Sequence, residues 1–117
     1  MTENSLPPAS SLTTRQRQFL KALAHPLNPL VQIGKEGVSQ GIINTINAEL
    51  LNHELIKVKI GNNSGLEKNS TSEGVAQETG SILVQLIGKT FVLFKANPEK
   101  PKDKRIILPK KLTGNLS

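Results

Sequence analysis

A four-residue loop carries the groups best suited to holding an anion. Gly34-Lys35-Glu36-Gly37 follows a short apolar run and precedes a helical pattern. Glycines let the backbone approach a ligand closely, the first turn of a helix offers unpaired N–H groups, and Lys35 adds a positive charge. The run lacks the longer phosphate-loop and dinucleotide fingerprints, and Glu36 places a carboxylate between the glycines. These residues therefore indicate either an anion-binding loop or only a tight strand-to-helix turn.

Catalytic and metal-binding groups are scarce in this chain. The sequence has no cysteine, which excludes disulfides, thiolate metal sites and cysteine nucleophiles. His25 and His53 both fall at predicted helix ends, where capping or packing is the simpler role, and the only aspartate is Asp103. We therefore expect a protein that is not an enzyme, with no catalytic residue, metal, cofactor or small-molecule substrate. One enzymatic alternative stays open, in which the glycine loop holds a nucleotide phosphate.

Hydrophobic spacing and capping residues predict the helices and strands that position the loop. Thr13 or Thr14 can cap a first helix, which should end near His25 because Pro26 disfavours helical geometry in the residue before it. Residues 30–33 are apolar and predict a strand that stops at the glycine loop. Ser39 can then cap a second helix. Its apolar stripe consists of Ile42, Ile43, Ile46 and Leu50.

The second half of the chain predicts a further helix between strands. Residues 55–60 alternate, which places Lys57 and Lys59 on the outer face of a half-buried strand. Residues 67–79 predict a third helix ended by Gly80, although their helix propensity is low. Residues 82–87 and 90–95 predict a hairpin closed by Gly88-Lys89. Strands separated by a helix should pair in parallel, and the final hairpin should be antiparallel. The order α-β-α-β-α-β-β therefore predicts an α+β fold with a mixed four-stranded sheet and helices mainly on one face.

Length and charge limit the domain organisation and the class of partner. The 117 residues suit one domain, which we place at 12–95, with a flexible leader at 1–11 and a basic C-terminal extension at 96–117. The net charge is +6, and residues 95–117 contribute seven basic against two acidic groups. This excess predicts a polyanionic partner. No secretory signal is visible, and the longest apolar run has four residues against the ~20 of a membrane helix. We therefore expect a cytoplasmic protein without a membrane partner.

Aromatic side chains are too few to form a base-stacking platform. The chain has no tryptophan or tyrosine and only three phenylalanines. Phe19 belongs to the apolar stripe of the first helix, and Phe91 and Phe94 should face opposite sides of one strand. A sheet that stacks two or three unpaired bases, as in RRM or OB-type binders, needs several exposed aromatic rings on one face. If the partner is RNA, phosphate contacts and duplex shape should therefore dominate over stacking.

Several ordered segments resemble one known family. The chain is similar over about residues 12–95 to the CRM domain (chloroplast RNA splicing and ribosome maturation) in its single-domain bacterial YhbY form. The tail segment RIILP (105–109) resembles the C-terminal extension of that family. The segments that carry the resemblance are LAHPL (23–27), PLVQIGKEGV (29–38), HELIKVK (53–59), ETG (78–80) and VQLIGKT (84–90).

The resemblance implies an RNA-binding protein with a fold similar to the C-terminal domain of translation initiation factor three. It further implies ribosomal RNA as the partner, within the pre-50S particle during assembly of the large ribosomal subunit, and we expect a monomer. Phe94-Lys95 departs from the Tyr-Arg usual in the family, which weakens the expected RNA contact there. The predicted RNA-binding residues are Gly34, Lys35, Glu36, Gly37, Arg17, Lys21, Lys57, Lys59, Lys89 and Lys95.

Two other binding modes are compatible with the sequence. The chain could instead be a protein-interaction module that docks on ribosomal proteins through a helical face or through residues 106–108. Duplex DNA is a less favoured partner on the resemblance, although basic charge alone does not exclude it.

Overall fold

Three helices and four strands follow one another in the predicted order. The computed structural model describes residues 12–110, so the predicted leader and residues 111–117 of the extension lie outside the described residues. The helices are α1 (Thr14–Ala24), α2 (Gln40–His53) and α3 (Lys68–Thr79). The strands are β1 (Pro29–Ile33), β2 (Leu55–Ile60), β3 (Ile82–Ile87) and β4 (Thr90–Phe94).

The strands form one mixed sheet in the order β1-β2-β4-β3. β1 pairs with β2 in parallel, and β4 runs antiparallel to both β2 and β3. The mixed four-stranded sheet is thus confirmed. However, the expected parallel pairing across a helix holds only for β1 and β2, because β4 lies between β2 and β3. The central position suits β4, since Phe91 through Phe94 are apolar and buried on both faces of the sheet.

The larger hydrophobic core lies between one face of the sheet and two helices. α2 contributes Ile43, Ile46 and Leu50, and α3 contributes Val75 and Ala76. The strands contribute Val31, Ile33, Ile56, Val58, Ile60, Phe91 and Leu93. The predicted stripe of α2 is therefore the face that packs on the sheet.

A second, smaller core lies on the opposite face beneath α1. Leu20 and Ala24 of α1 pack against Leu55, Val92 and Phe94, so Phe91 and Phe94 face opposite sides as predicted. α2 and α3 thus share one face of the sheet, and α1 packs on the other face. α1 lies there because the apolar side chains of β2, β3 and β4 on this second face would otherwise be exposed to water.

The helix ends mostly follow the predicted caps. Thr13 accepts a hydrogen bond from the backbone N–H of Gln16, and the Gln16 side chain accepts one from the Thr13 N–H, which together form a capping box. Ser39 caps α2, and Gly80 ends α3 in the left-handed conformation at φ 68°. The start of α3 was not predicted in detail: the Glu67 carboxylate caps it by accepting from the N–H groups of Asn69 and Ser70.

A buried glutamate joins the C-terminal extension to the domain. Glu54 follows α2 with φ 63° and is 1% exposed. One of its carboxylate oxygens accepts from the N–H of Asn97 and the other from the N–H of Ile106, both at 2.7 Å. Ile106 and Leu108 pack on the smaller core, and the Gln16 amide donates to the carbonyl oxygen of Pro109 at 2.9 Å. The extension as far as Pro109 is therefore part of the packed structure.

Replacing Glu54 by glutamine should destabilise the fold by about 1–3 kcal/mol. The amide retains one acceptor oxygen, but its NH₂ group would face a backbone N–H that then has no acceptor. Urea unfolding of Glu54→Gln measures the loss. Glu73→Gln on the exposed side of α3 is the matched control and should change stability by less than about 0.5 kcal/mol. Equal unfolding free energies for the two variants would contradict the role given to Glu54.

The cap of α3 should be sensitive to acid. The backbone N–H groups of Ser70 and Asn69 lower the pKa of the Glu67 carboxyl from 4.5 to about 2. Because the pKa in the folded state is depressed, the cap contributes fully above pH 4.5 and is lost as the pH falls through about 2. The amide proton shift of Ser70, followed by NMR, should titrate with a midpoint near pH 2 and should lose this titration in Glu67→Gln. A midpoint near the ordinary glutamate value would show that the carboxylate does not cap the helix.

Candidate nucleic-acid interface

Three connections meet at one end of the sheet, which we call the loop end: residues 34–37, 61–66 and 88–89. The N–H of Gly61 donates to the carbonyl oxygen of Ile33 at 2.8 Å, and the N–H of Ile60 donates to that of Lys89 at 2.7 Å. These bonds place the glycine loop, the end of β2 and the hairpin turn side by side. The sheet pairing therefore brings Lys35, Lys59 and Lys89 to the same end of the molecule.

The glycine loop is an exposed turn whose last glycine needs an unusual backbone conformation. The N–H of Gly37 donates to the carbonyl oxygen of Gly34 at 3.0 Å, and Gly37 has φ +76°. Lys35 and Glu36 project from the middle of the turn and are exposed. The loop borders a shallow depression of about 470 Å³ together with the first turn of α2. Both a cationic and an anionic side chain therefore flank the exposed backbone.

The face of the sheet that carries α1 is covered over only part of its area. α1, Ile106 and Leu108 cover the part that includes Leu55 and Phe94. Two rows of side chains lie nearer the loop end, and all of them except Val92, which packs beneath α1, are outside this cover. The rows are Pro29-Lys57-Val92-Gln85 and Gln32-Lys59-Thr90-Ile87.

The uncovered strands and α1 enclose a groove of about 620 Å³, which we call the sheet groove. Its wall is one side of α1, and its floor is the uncovered part of the sheet. The wall residues are Gln18, Lys21, Ala22 and His25, and the floor residues are Pro29, Lys57, Gln85, Ile87, Thr90 and Val92. The wall residues recur at the i, i+3, i+4, i+7 spacing of a single helical face. The groove thus combines two lysines, two amides and an apolar floor.

The two lysines of the groove come from different elements. Lys21 lies in the last turn of α1, and the Lys57 ammonium donates to the carbonyl oxygen of His25 at 3.2 Å. An ammonium has three donors, so Lys57 retains two for a ligand. Lys59 is the next residue on the same face of β2 and is exposed. A short positive stripe therefore runs from α1 towards the loop end.

Two of the predicted site residues lie elsewhere. The Arg17 guanidinium donates to the carbonyl oxygens of Leu83 and Val84 at 3.0 and 2.7 Å, which holds α1 to β3. The Lys95 ammonium donates to the carbonyl oxygen of Thr79 at 2.9 Å at the end of α3. Lys95 follows the end of β4 that is remote from the loops, since Phe94 before it is four steps of about 3.3 Å, or roughly 13 Å, from Thr90. The structure therefore does not bring Arg17 and Lys95 together with the other predicted residues.

The histidines and carboxylates of the described residues form no metal-binding cluster. His53 ends α2 with its Nε2 atom 3.4 Å from a Glu49 carboxylate oxygen, and His25 caps α1. Within residues 12–110, no three histidine, aspartate or glutamate side chains come together in a way that could hold a metal ion. No helix in the same range has the length and apolar character needed to span a membrane.

Comparison with known proteins identifies the family. The model of the CRS1 / YhbY (CRM) domain matches residues 12–95. The chain belongs to this family. It is 39% identical to an RNA-binding protein of Haemophilus influenzae, over 87% of this chain and 99% of that one. It is 42% identical to the Bacillus subtilis protein named probable RNA-binding protein YqeI, over 84% of this chain and 99% of that protein.

A solved structure of a relative agrees with the architecture. The solution structure of the Staphylococcus aureus protein SAV1595, described as a candidate RNA-binding protein, superposes with a TM-score of 0.67 at 38% sequence identity. The match covers 84% of this chain and 99% of that one. The three helices and the mixed four-stranded sheet are therefore the fold of this CRM domain.

The two glycines of the loop should respond differently to alanine. Gly37→Ala should destabilise the protein by about 1 kcal/mol, because an L side chain is strained at φ +76°. Gly34→Ala should leave stability nearly unchanged, since its φ is not in the left-handed region and no heavy atom lies within 4 Å of the added Cβ. Thermal or urea unfolding of both variants measures the contrast. Equal effects would mean that the turn does not have the geometry described.

Proposed function

We propose that this CRM protein binds RNA through the sheet groove and the adjoining loop end. The observation that carries the proposal is the charge of the groove, which contains Lys21 and Lys57 and no acidic side chain. Three other depressions of the described surface each include a glutamate, namely Glu78, Glu99 and Glu36. A polyanion therefore finds its most favourable concave surface beside α1.

Membership of the family and the names of the relatives support RNA as the polyanion. Relatives from Haemophilus influenzae and Bacillus subtilis are both named as RNA-binding proteins, and this chain spans 99% of each. The similarity extends over the segments that supply the groove, since the family match runs from residue 12 to residue 95. RNA binding by the same face of the sheet is the simplest common function.

The proposed contacts to the RNA backbone come from lysines and from the glycine loop. Lys35 and the exposed backbone at Gly34 would hold one phosphate, with Gly37 allowing the turn that presents them, and the stripe in the groove would hold the neighbouring phosphates along the strand. The lysines of this surface are Lys21, Lys35, Lys57, Lys59 and Lys89. Arg17 and Lys95 are outside it because of their positions and partners. The basic extension would add attraction that does not depend on sequence.

We further propose that the RNA is ribosomal, within a precursor of the large subunit, and that the protein acts there as a cytoplasmic monomer without a catalytic role. This finer assignment rests on the family resemblance.

The alternative of docking on ribosomal proteins through residues 106–108 is less well supported, because Ile106 and Leu108 pack on the smaller core. Only Ile107 of that segment has a large exposed fraction, at 65%.

Charge reversal at the proposed surface should weaken RNA binding without unfolding the domain. We expect Lys35→Glu and Lys57→Glu each to reduce affinity for a structured RNA by about tenfold. In the double variant, the slope of log K against log salt should fall by roughly two, since two phosphate contacts are lost. Filter binding at several salt concentrations and circular dichroism measure binding and folding respectively.

Lys68→Glu is the matched control for each single variant, because Lys68 begins α3 on the opposite side of the sheet and the substitution changes net charge by the same amount. The same variants should be followed on low-magnesium sucrose gradients. The wild-type protein and Lys68→Glu should migrate with large subunits or their precursors in an RNase-sensitive manner, and the double variant should not. Unchanged RNA affinity in a folded double variant would remove the proposed surface. Migration of the wild-type protein only in the light fractions would remove the ribosomal assignment.

A further inference from the structure

A half-buried amide in the sheet groove makes no hydrogen bond to any described residue. The pairing of β3 with β4 shifts register between Leu83 and Gln85. Leu83 and Leu86 then pack towards the larger core, while Gln85 and Ile87 face the groove. Gln85 is only partly exposed and belongs to the floor of the groove. An irregularity in an edge strand thus directs a polar side chain into the cationic groove.

The surroundings of Gln85 match the parts of a single nucleotide. Val92 lies directly opposite Gln85 on the neighbouring strand but is only 3% exposed, so the apolar surface beside the amide comes from Ile87, which is 64% exposed. Lys57 lies on the other side of Val92, and Lys21 lies on the wall above. A flat base could therefore rest on the apolar floor, with its phosphates next to the ammonium groups and its polar edge next to the amide.

We infer that the sheet groove receives one unpaired nucleotide of the bound RNA, with the Gln85 amide at the edge of its base. This inference rests on the proposed function and deepens it. A carboxamide offers one acceptor and two donors, which match the Watson–Crick edge of a base. That edge is available only when the base is unpaired, and a base in a bulge or loop leaves its stack at the least cost. The amide then replaces the hydrogen bonds that the missing partner base would make.

In this inference the groove receives the base without an aromatic platform. None of its lining residues is phenylalanine, tyrosine or tryptophan. Recognition therefore depends on the shape of the groove, on the amide and on the two lysines, and less on stacking energy. Gln18 on the wall provides a second amide that also makes no hydrogen bond to a described residue. We assign the role at the base edge to Gln85 because its position in a paired strand restricts its movement.

The test compares two RNA duplexes of about twenty base pairs that differ by one bulged nucleotide. The wild-type protein should bind the bulged duplex about tenfold more tightly than the fully paired duplex. Gln85→Leu should lose this preference and retain its affinity for the paired duplex, because leucine keeps most of the volume and removes the amide. Gln77→Leu on the exposed side of α3 is the matched control and should retain the preference.

A second measurement uses the wild-type protein alone and so does not depend on whether a variant folds. With 2-aminopurine as the bulged base, fluorescence should rise on binding, because the base leaves its stacked neighbours for a groove without aromatic rings. Equal affinity for both duplexes, or a preference that persists in folded Gln85→Leu, would overturn the inference and leave the proposed function standing. Failure of the wild-type protein to bind either duplex would overturn both.

Discussion

The central strand β4 has to be covered on both of its faces, and the rest of the architecture follows from this requirement. Phe91 and Leu93 face α2 and α3, whereas Val92 and Phe94 face the side of α1. A sheet with one solvent-exposed face would need only one layer of helices. Here the second face is covered by a single short helix and a few residues of the extension. That cover is incomplete, and the uncovered remainder is the floor of the sheet groove.

Glu54 is the point at which the two layers and the extension are joined. Its backbone N–H donates to the carbonyl oxygen of Leu50 at the end of α2, and its own carbonyl oxygen accepts from the N–H of Lys95 after β4. Its side chain accepts from the N–H groups of Asn97 and Ile106. Burial of a carboxylate is costly unless its oxygens are hydrogen-bonded, and both oxygens are satisfied here by the main chain. This buried side chain lies at the end of the sheet remote from the glycine loop.

Local signals in the sequence were sufficient for the elements but not for their arrangement. Thr13, Ser39 and Gly80 act on residues within a few positions, so the limits of the helices could be predicted from them. The insertion of β4 between β2 and β3 depends on which strand is best covered on both faces, and this is a property of the whole sheet. The role of Glu54 depends on residues more than forty positions away. The charge pattern alone likewise could not show that Arg17 binds strand carbonyls while Lys57 faces a groove.

The route of the extension also brings together the first and last parts of the chain that the structure describes. The bond between the Gln16 amide and the carbonyl oxygen of Pro109 places the start of α1 beside the last described residues, and Leu12 and Leu108 pack on the same core. Ends that meet on the surface can be joined by a short linker without moving any strand. New termini could be opened in the exposed connection at 62–65. The order of elements along the chain is thus separable from their arrangement in space, and a circular permutant that begins with α3 would preserve both cores.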